Sequence, residues 1–372
     1  MTSNGAVNLA RATHPVSGQS PESHVGGQYL LSPDERILIT GAAGFIGFAV
    51  VESLLRLGFR NLVCFTRKSG NETKLQRLAD SHPQIKIFKG NLLTPKDCEA
   101  ACQDVSVIFH LAAGTGEKSY PDAFMNSVVT TRNLLEASLR RAHLRRFVLV
   151  SSFAVYTNRQ SSSLLDESCP LEEDPSQGGD AYCFAKVRQE RIVREYSKNH
   201  GVPYVILRPG SVYGGEKSDI TGRVGLGTFG IFLHLGGSNR IPFTYVDNCA
   251  DAIALAGLTK GIDGEAFNVV DDDLPSSRKF LRQYKKNIRM FRSIYVPRIG
   301  SRVICTLWEK YSKWSQGQLP PLFNRRRWFS EWRKTRYSNQ KLKTRLGWSP
   351  KVPTPEAMQR YFTSCAKSGQ HA

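Results

Sequence analysis

The sequence predicts an α/β fold, a doubly wound parallel sheet followed by a smaller, mainly helical lobe. Short apolar runs alternate with helix-length amphipathic segments, which is expected when helices cover both faces of a parallel sheet. The first run also enters a glycine-rich turn that leads into an apolar helix. Seven runs are predicted strands: residues 36–40, 62–66, 85–88, 105–110, 147–151, 204–207 and 266–270.

The chain divides into three predicted regions. Residues 1–33 are rich in Ser, Gly, Pro and Asn without an apolar period, which is typical of a flexible leader. Residues 34–273 carry the strand–helix alternation and form the predicted α/β domain, with insertions of the smaller lobe after residue 208. Residues 274–372 lose the alternation, contain all five tryptophans and form the predicted substrate lobe.

Charge separates the last region from the rest. The chain carries 51 basic and 32 acidic residues, a net charge of +19. Residues 278–372 hold 23 basic and three acidic residues, whereas the preceding 277 residues hold 28 and 29. A basic, aromatic segment indicates either an anionic partner or a solvated face. We expect no nucleic-acid partner, and we leave peripheral membrane contact and a homodimer open.

Composition excludes several classes of protein. Hydrophobic residues at 40% and charged residues at 22% are ordinary for globular chains and exclude a disordered or fibrous one. The eight cysteines stand at irregular spacings without a CxxC pair, so we expect free thiols and no metal site. No stretch approaches the roughly 20 apolar residues of a membrane span. These features predict a cytoplasmic protein, with peripheral attachment to a membrane as the alternative.

The glycine-rich turn after the first strand predicts a dinucleotide site of the Rossmann type. Its glycines permit a tight turn, close approach of a pyrophosphate, and packing of the following helix on the strand. A second glycine pattern at 225–230 follows no predicted strand, so we reject it as the cofactor loop. The predicted cofactor contacts in the turn are Gly41, Gly44, Phe45, Ile46 and Gly47.

The end of the second strand bears on the identity of the dinucleotide. An acidic residue there usually holds the adenosine ribose hydroxyls of NAD, but this chain has Thr66 followed by Arg67. A guanidinium suits a 2′-phosphate. The sequence therefore predicts an NAD(P) cofactor and favours NADP, with Arg67 as a contact. The alternative is that Arg67 is a solvated loop residue.

The reacting groups are predicted at the C-terminal edge of the sheet. Strand 147–151 ends at Ser151 and Ser152, and a later helix opens with Tyr182 and carries Lys186 one turn on. Side chains four residues apart share a helix face. We therefore expect the ammonium to lower the pKa of the phenol from about 10, so that the phenol serves as an acid or base.

Together these motifs resemble the extended short-chain dehydrogenase/reductase family, of the NAD-dependent epimerase/dehydratase and 3β-hydroxysteroid dehydrogenase kind. The resemblance covers residues from about 36 to 352. It rests on TGAAGFIG at 40–47, HLAA at 110–113, SSFAVY at 151–156, YCFAK at 182–186, LRPGSVYG at 207–214 and YVDNCADAIALA at 245–256.

The resemblance implies a set of site residues. It selects Ser152, Tyr182 and Lys186 as the catalytic set, and Tyr182 and Lys186 are also expected to contact the cofactor. The further contacts that it implies are Asn91 and Leu92 at the adenine, Ala112, Ala113 and Asn126 at the ribose and pyrophosphate, and Pro209 and Ser211 at the nicotinamide.

The resemblance also implies an oxidoreductase that interconverts a secondary alcohol and a ketone, and two departures narrow the substrate. Dehydratases of the family place an Asp-Glu pair where this chain has Phe153 and Ala154, so dehydration is not expected. Sugar-nucleotide epimerases usually carry an Asn where Gly210 and Ser211 stand. We expect a hydrophobic, steroid-like or lipid-like small-molecule substrate. The alternatives are a nucleoside-diphosphate-sugar epimerase with tightly bound NAD and a non-catalytic cofactor-binding sensor.

One basic stretch of the last region carries an apolar stripe at helical spacing. Such a stripe is more often part of a core than a membrane anchor, so we expect it to be buried. An anionic bilayer surface is the alternative. The stripe consists of Ile299, Val303, Leu307, Trp308, Tyr311 and Trp314.

Overall fold

The computed structural model places most of the chain after the predicted leader. Residues 1–28 of that leader lie outside the described residues, whereas Leu31 near its end is buried in the main core. The described residues are 29–67, 72–114, 119–141, 143–157, 163–175, 180–215, 220–228, 230–315 and 323–369.

The strands follow the predicted runs closely. In chain order they are β1 (Arg36–Thr40), β2 (Leu62–Thr66), β3 (Ile85–Lys89), β4 (Val105–His110), β5 (Arg146–Val150), β6 (Leu164–Leu165), β7 (Tyr204–Pro209), β8 (Ser211–Tyr213), β9 (Gly225–Thr228), β10 (Ile231–His234), β11 (Phe243–Tyr245), β12 (Ala266–Val269), β13 (Ser293–Tyr295) and β14 (Arg336–Tyr337).

The helices cover the sheet and build the last region of the chain. They are α1 (Phe45–Arg56), α2 (Thr73–Ser81), α3 (Pro95–Ala101), α4 (Tyr120–Ala123), α5 (Thr130–Arg141), α6 (Ala181–His200), α7 (Val246–Leu258), α8 (Ser277–Asn287), α9 (Arg298–Trp314), α10 (Arg325–Arg327), α11 (Gln340–Leu346) and α12 (Thr354–Gly369). Two π-helical segments, Phe124–Val129 and Trp328–Trp332, adjoin α4 and α10.

The central sheet confirms the predicted doubly wound α/β fold. Seven parallel strands lie in the order β12-β7-β5-β4-β1-β2-β3. The winding reverses between β1 and β4, and open α/β sheets bind ligands at the carboxyl ends of their strands at such a reversal. The glycine-rich turn follows β1 directly, so the fold places it at this crevice.

Alternating side chains of each strand supply two hydrophobic layers. In β1, Ile37 and Ile39 pack in the layer that includes α1 and α7, and Leu38 packs in the layer that includes α3 and α5. All three side chains are fully buried. Strands buried on both faces explain why the sequence shows continuous apolar runs rather than alternating ones.

Residues 274–372 divide between two places. Leu342 of α11, Trp348 and Tyr361 of α12 belong to the main core. Helix α9 instead packs with Trp328 and Trp332 in a separate small cluster. The final helices thus complete the α/β domain. The division of the chain at residue 273 stays a proposal.

Candidate functional site

The turn after β1 is built so that only glycine fits at two positions. Gly41 adopts a left-handed φ of +73°, and a Cβ there would lie 2.9 Å from the backbone nitrogen of Ala112. A Cβ on Gly47 would lie 2.1 Å from the Gly41 carbonyl oxygen. Helix α1 then begins at Phe45 with Gly44 as N-cap, without a capping side chain or an acid in its first turn. Backbone N–H groups of this kind suit a pyrophosphate, so the residues fit a dinucleotide.

A buried chain of hydrogen bonds joins the end of β1 to α6. Thr40 Oγ1 lies 2.8 Å from His110 Nδ1, and Thr131 Oγ1 lies 2.9 Å from His110 Nε2. The Thr131 hydroxyl donates to the Ser127 carbonyl and accepts from Gln189 Nε2 at 2.8 Å. Thr131 therefore accepts from the ring, which places the imidazole proton on Nε2. Burial lowers the pKa of His110 to about 3, so the ring is neutral. Its two nitrogens bridge the hydroxyls of Thr40 and Thr131.

The structure brings the predicted catalytic set together at the carboxyl end of β5. The Ser152 side chain lies close enough to the Tyr182 phenol to lower its pKa. Asp180 caps α6 by accepting from the Tyr182 backbone nitrogen at 3.0 Å, which fixes Tyr182 in the first turn. Lys186 Nζ donates to the Val150 carbonyl at 2.8 Å and lies 6.0 Å from the centre of the Tyr182 ring.

The pKa of the phenol shifts in the direction opposite to the prediction. Burial raises the pKa of Tyr182, and the Ser152 contact opposes that rise. Burial prevails because the Lys186 ammonium donates to the Val150 carbonyl instead of the phenol. Burial also lowers the pKa of Lys186 to about 8. At pH 7 the phenol therefore keeps its proton, and most of the ammonium stays charged.

A buried ion pair that sequence reasoning missed lies beneath Lys186. Glu190 stands one turn later on α6 and pairs with Arg208 of β7 at 2.7 Å, with each side chain 2% exposed. Glu190 also accepts from the Ser151 hydroxyl at 2.6 Å, and Arg208 donates to the Tyr156 hydroxyl at 3.0 Å. The negative charge of Glu190 raises the pKa of Lys186 against the effect of burial. The available signal was a glutamate four residues after the lysine, on the same helix face.

Two of the other predicted cofactor contacts lie at the glycine turn. The Ala112 backbone nitrogen donates to Thr40 Oγ1 at 3.3 Å, and Ala113 follows it as a half-buried residue.

Pro209 ends β7 as a buried residue, and the Ser211 backbone nitrogen donates to the Pro242 carbonyl at 2.7 Å. Their cofactor roles stay predictions.

The remaining predicted contacts stand further from the turn. Asn91 is exposed, and its side chain accepts from the Leu93 backbone nitrogen at 3.0 Å. Leu92 is buried, and Asn126 is exposed in the π-helical segment after α4. Arg67 is exposed at the end of β2. The cofactor roles of these residues also stay predictions.

The structure brings the Glu72 carboxylate to the end of β2, although no acidic residue follows that strand directly in the sequence. Glu72 folds back so that its Oε1 accepts from the Thr66 hydroxyl at 2.9 Å. Lys89 of the neighbouring strand pairs with the same carboxylate at 3.2 Å. Glu72 was not predicted from the sequence because it lies six residues beyond Thr66, whereas the acid that binds the ribose is expected directly after the strand.

The residues next to Ser152 and Tyr182 pack against the last region of the chain. Phe153 is buried directly after Ser152, and its ring stacks on Tyr337 at 5.7 Å with an angle of 18°. Arg326 donates to the Cys183 sulfur at 2.8 Å and pairs with Glu172 at 3.5 Å. This guanidinium is therefore already bonded to groups of the protein.

Comparison with known proteins gives a family and a consistent set of relatives. The model of the NAD-dependent epimerase/dehydratase family matches residues 37–269. An uncharacterized UDP-glucose epimerase of Bacillus subtilis, YtcB, is 30% identical over 251 residues, which are 63% of this chain and 76% of that protein. A 3β-hydroxysteroid dehydrogenase/Δ5→4-isomerase of Mycobacterium tuberculosis is 32% identical over 187 residues, which are 48% of this chain and 47% of that protein.

A solved structure shares the whole fold. UDP-glucuronic acid 4-epimerase from Bacillus cereus, in complex with NAD, superposes with a TM-score of 0.69 at 23% identity. The superposition covers 91% of this chain and 98% of that one. At this level of identity the likeness establishes the fold, and the match to the steroid dehydrogenase spans about half of either chain.

Proposed function

Since the chain belongs to the NAD-dependent epimerase/dehydratase family of enzymes, we propose that it interconverts a secondary alcohol and a ketone on a hydrophobic, steroid-like or lipid-like substrate. The observation that carries the proposal is the position of the Tyr182 ring at the carboxyl end of β5, beside Ser152 and 6.0 Å from the buried Lys186 ammonium. A bound nicotinamide supplies or accepts the hydride in such a reaction.

Each member of the catalytic set has a separate role in the proposal. In reduction the Tyr182 phenol donates its proton to the substrate oxygen, and in oxidation the phenolate takes a proton from the hydroxyl. The Lys186 ammonium, fixed by the Val150 carbonyl at 6.0 Å from the ring, would hold the ribose of the cofactor. The Ser152 hydroxyl orients the substrate oxygen beside the phenol.

The surroundings of Tyr182 support a hydrophobic substrate. Phe153, next to Ser152, stacks on Tyr337 within a buried apolar cluster that includes Val155. Arg326, the guanidinium that reaches this surface, is bonded to Cys183 and Glu172. A diphosphate bound there would have to displace that ion pair.

A nucleotide-sugar epimerase is the second candidate, and the relatives favour it. YtcB aligns over more of this chain than the steroid dehydrogenase does. An epimerase uses the same three residues to oxidise and re-reduce one carbon, so it holds its NAD through the cycle. The protein would then copurify with NAD and turn over a UDP-sugar without added cofactor.

The experiment on the proposed function replaces the phenol. Tyr182→Phe should lower turnover at least about 100-fold while the Kd for cofactor stays within about twofold. Tyr213→Phe is the matched control, because Tyr213 shares the Tyr-x-x-x-Lys spacing but ends β8 with its hydroxyl buried and unpaired among the described groups. Assays with a sterol alcohol and with UDP-glucose separate the two candidates, and turnover by Tyr182→Phe would overturn both.

Preference for NADP is a further part of the proposal. Arg67 supports NADP by its charge, whereas Glu72 at the end of β2 supports the ribose hydroxyls of NAD. Arg67→Ala should raise the KM for NADP at least about tenfold and leave the KM for NAD unchanged. An unchanged ratio of the two KM values removes Arg67 from the cofactor site.

A further inference from the structure

Helix α9 buries one face and exposes a second, apolar face. Ser301, Cys305 and Ser312 are buried, and Ile304 and Trp308 pack into the same small cluster. Trp328 closes this face and donates its Nε1–H to Ser301 Oγ at 2.9 Å. The helix is therefore already anchored to the protein through the buried face, and its second face needs a separate explanation.

The second face is exposed along the whole helix. Its five large side chains are between 49% and 80% exposed, and they recur at spacings of four, four, four and three residues. That spacing keeps them on one side of a 17-residue helix about 25 Å long. They are Ile299, Val303, Leu307, Tyr311 and Trp314.

The expectation that this stripe is buried is thus wrong except for Trp308. An α-helix offers room for two apolar stripes, and the core of the last region takes only the one that contains Trp308. Contiguous exposed apolar side chains of this size mark an interaction surface.

Basic side chains lie along α9 beside the exposed face, and the guanidinium groups of Arg298 and Arg302 lie 5.6 Å and 5.7 Å from the Trp328 ring. Arg298, Arg302 and Lys310 of α9 are exposed. Glu309, the acid of α9, is paired with Arg325 at 3.2 Å. Residues 278–372 as a whole carry a large excess of positive charge. The surface therefore combines apolar and aromatic side chains with basic ones, which is the composition of helices that lie at anionic bilayer surfaces.

Charge argues against a second copy of this chain as the occupant. In a two-fold symmetric dimer the same face meets itself, so basic side chains such as Arg302 and Lys310 would face basic side chains of the second copy. Among the described residues, no helix is long and apolar enough to cross a membrane. We propose that the exposed face of α9 docks in the plane of an anionic phospholipid bilayer, with Leu307 and Trp314 inserted among the acyl chains.

The test uses the full chain and flotation with phosphatidylcholine vesicles, pure or containing about 30% phosphatidylserine. We expect binding to the anionic vesicles and at least about tenfold weaker binding to the neutral ones. The double variant Leu307→Ser/Trp314→Ser should lose at least about tenfold in binding to the anionic vesicles. Turnover of a water-soluble substrate should be unchanged, so this test is independent of the proposed reaction.

The matched control removes two exposed apolar side chains from the α/β domain instead. Met125→Ser/Leu139→Ser should bind the anionic vesicles as the wild type does, since these residues are 45% and 42% exposed and lie away from α9. Equal binding by the α9 variant and the wild type overturns the proposal. A wild-type dimer that the α9 variant converts to monomer, without an effect on vesicle binding, also overturns it and assigns the face to a second copy.

Discussion

Helices α6 and α9 depart from ordinary amphipathic patterning in opposite ways. Helix α6 buries Lys186, Gln189 and Glu190, three polar side chains on one face. Helix α9 exposes apolar side chains such as Leu307 and Trp314. Each departure coincides with a proposed function, hydride chemistry on α6 and bilayer contact on α9.

The difference shows how the fold makes each departure tolerable. Each of these side chains has a partner: Lys186 the Val150 carbonyl, Gln189 Nε2 the Thr131 hydroxyl, and Glu190 the guanidinium of Arg208. Gln189 Oε1 is buried without a hydrogen-bond partner among the described residues. Buried charge without a partner costs several kcal/mol, so these contacts offset part of the cost of burying the polar groups. Exposed apolar groups on α9 cost little in water and need no partner to fold.

The largest expected effect contrasts the two faces of α9. Trp328→Ala should lower the free energy of unfolding by about 4 kcal/mol, because it empties the buried cluster and removes the indole hydrogen bond to Ser301 Oγ. Leu307→Ala on the exposed face should change it by less than about 0.5 kcal/mol. Urea unfolding measures both, and equal losses would show that both faces are packed in solution.

The next effect concerns the ion pair beneath α6. Arg208→Leu should lower the free energy of unfolding by about 3 kcal/mol, because it leaves the Glu190 carboxylate buried without its main partner. Urea unfolding at pH 7 measures the loss.

Arg194→Leu is the matched control for that ion pair. Arg194 lies 3.6 Å from the same carboxylate but is 40% exposed, so solvent screens its charge and the loss should stay below about 1 kcal/mol. Similar losses in the two variants would mean that burial does not set the strength of the pair.

The smallest effect has the opposite sign and bears on Lys186. Its pKa in the folded chain is about 8, below the usual 10.5, so the folded state binds its proton more weakly than the unfolded chain does. Between pH 8 and 10.5 this lysine therefore makes the folded state more stable as pH rises, and at pH 7 the full penalty of burying the charge is present.

Lys186→Met removes that penalty. The variant should be more stable than the wild type by about 1–3 kcal/mol at pH 7, and the advantage should shrink toward pH 10. Turnover should be lost at the same time. Urea midpoints of both proteins at the two pH values measure the difference, and a variant less stable at pH 7 would contradict a charge penalty at this site.

Local patterns were sufficient to predict the α/β sheet and the glycine turn. Strands such as β1 and β4 can be predicted from apolar runs, because both of their faces are buried and every side chain therefore lies in an apolar environment. Gly47 follows from a steric limit within the turn, since a Cβ there would meet the Gly41 carbonyl. Gly41 follows from its left-handed φ, to which the tertiary approach of Ala112 adds a second limit. Glu72 escaped prediction because it stands six residues beyond Thr66 and reaches it only when the chain folds back. Arg208 escaped prediction because it stands 18 residues from Glu190, on a different element.

The sequence by itself determined the order of the strands in the chain, the cofactor turn and the Tyr182–Lys186 spacing, because each depends on neighbouring residues. Tertiary structure alone decided the environment of those groups. It decided that burial raises the pKa of Tyr182, and that Trp308 of the α9 stripe packs inward while Leu307 faces solvent. The physical reason is that burial and electrostatics depend on every element packed around a side chain, and local sequence does not specify those elements.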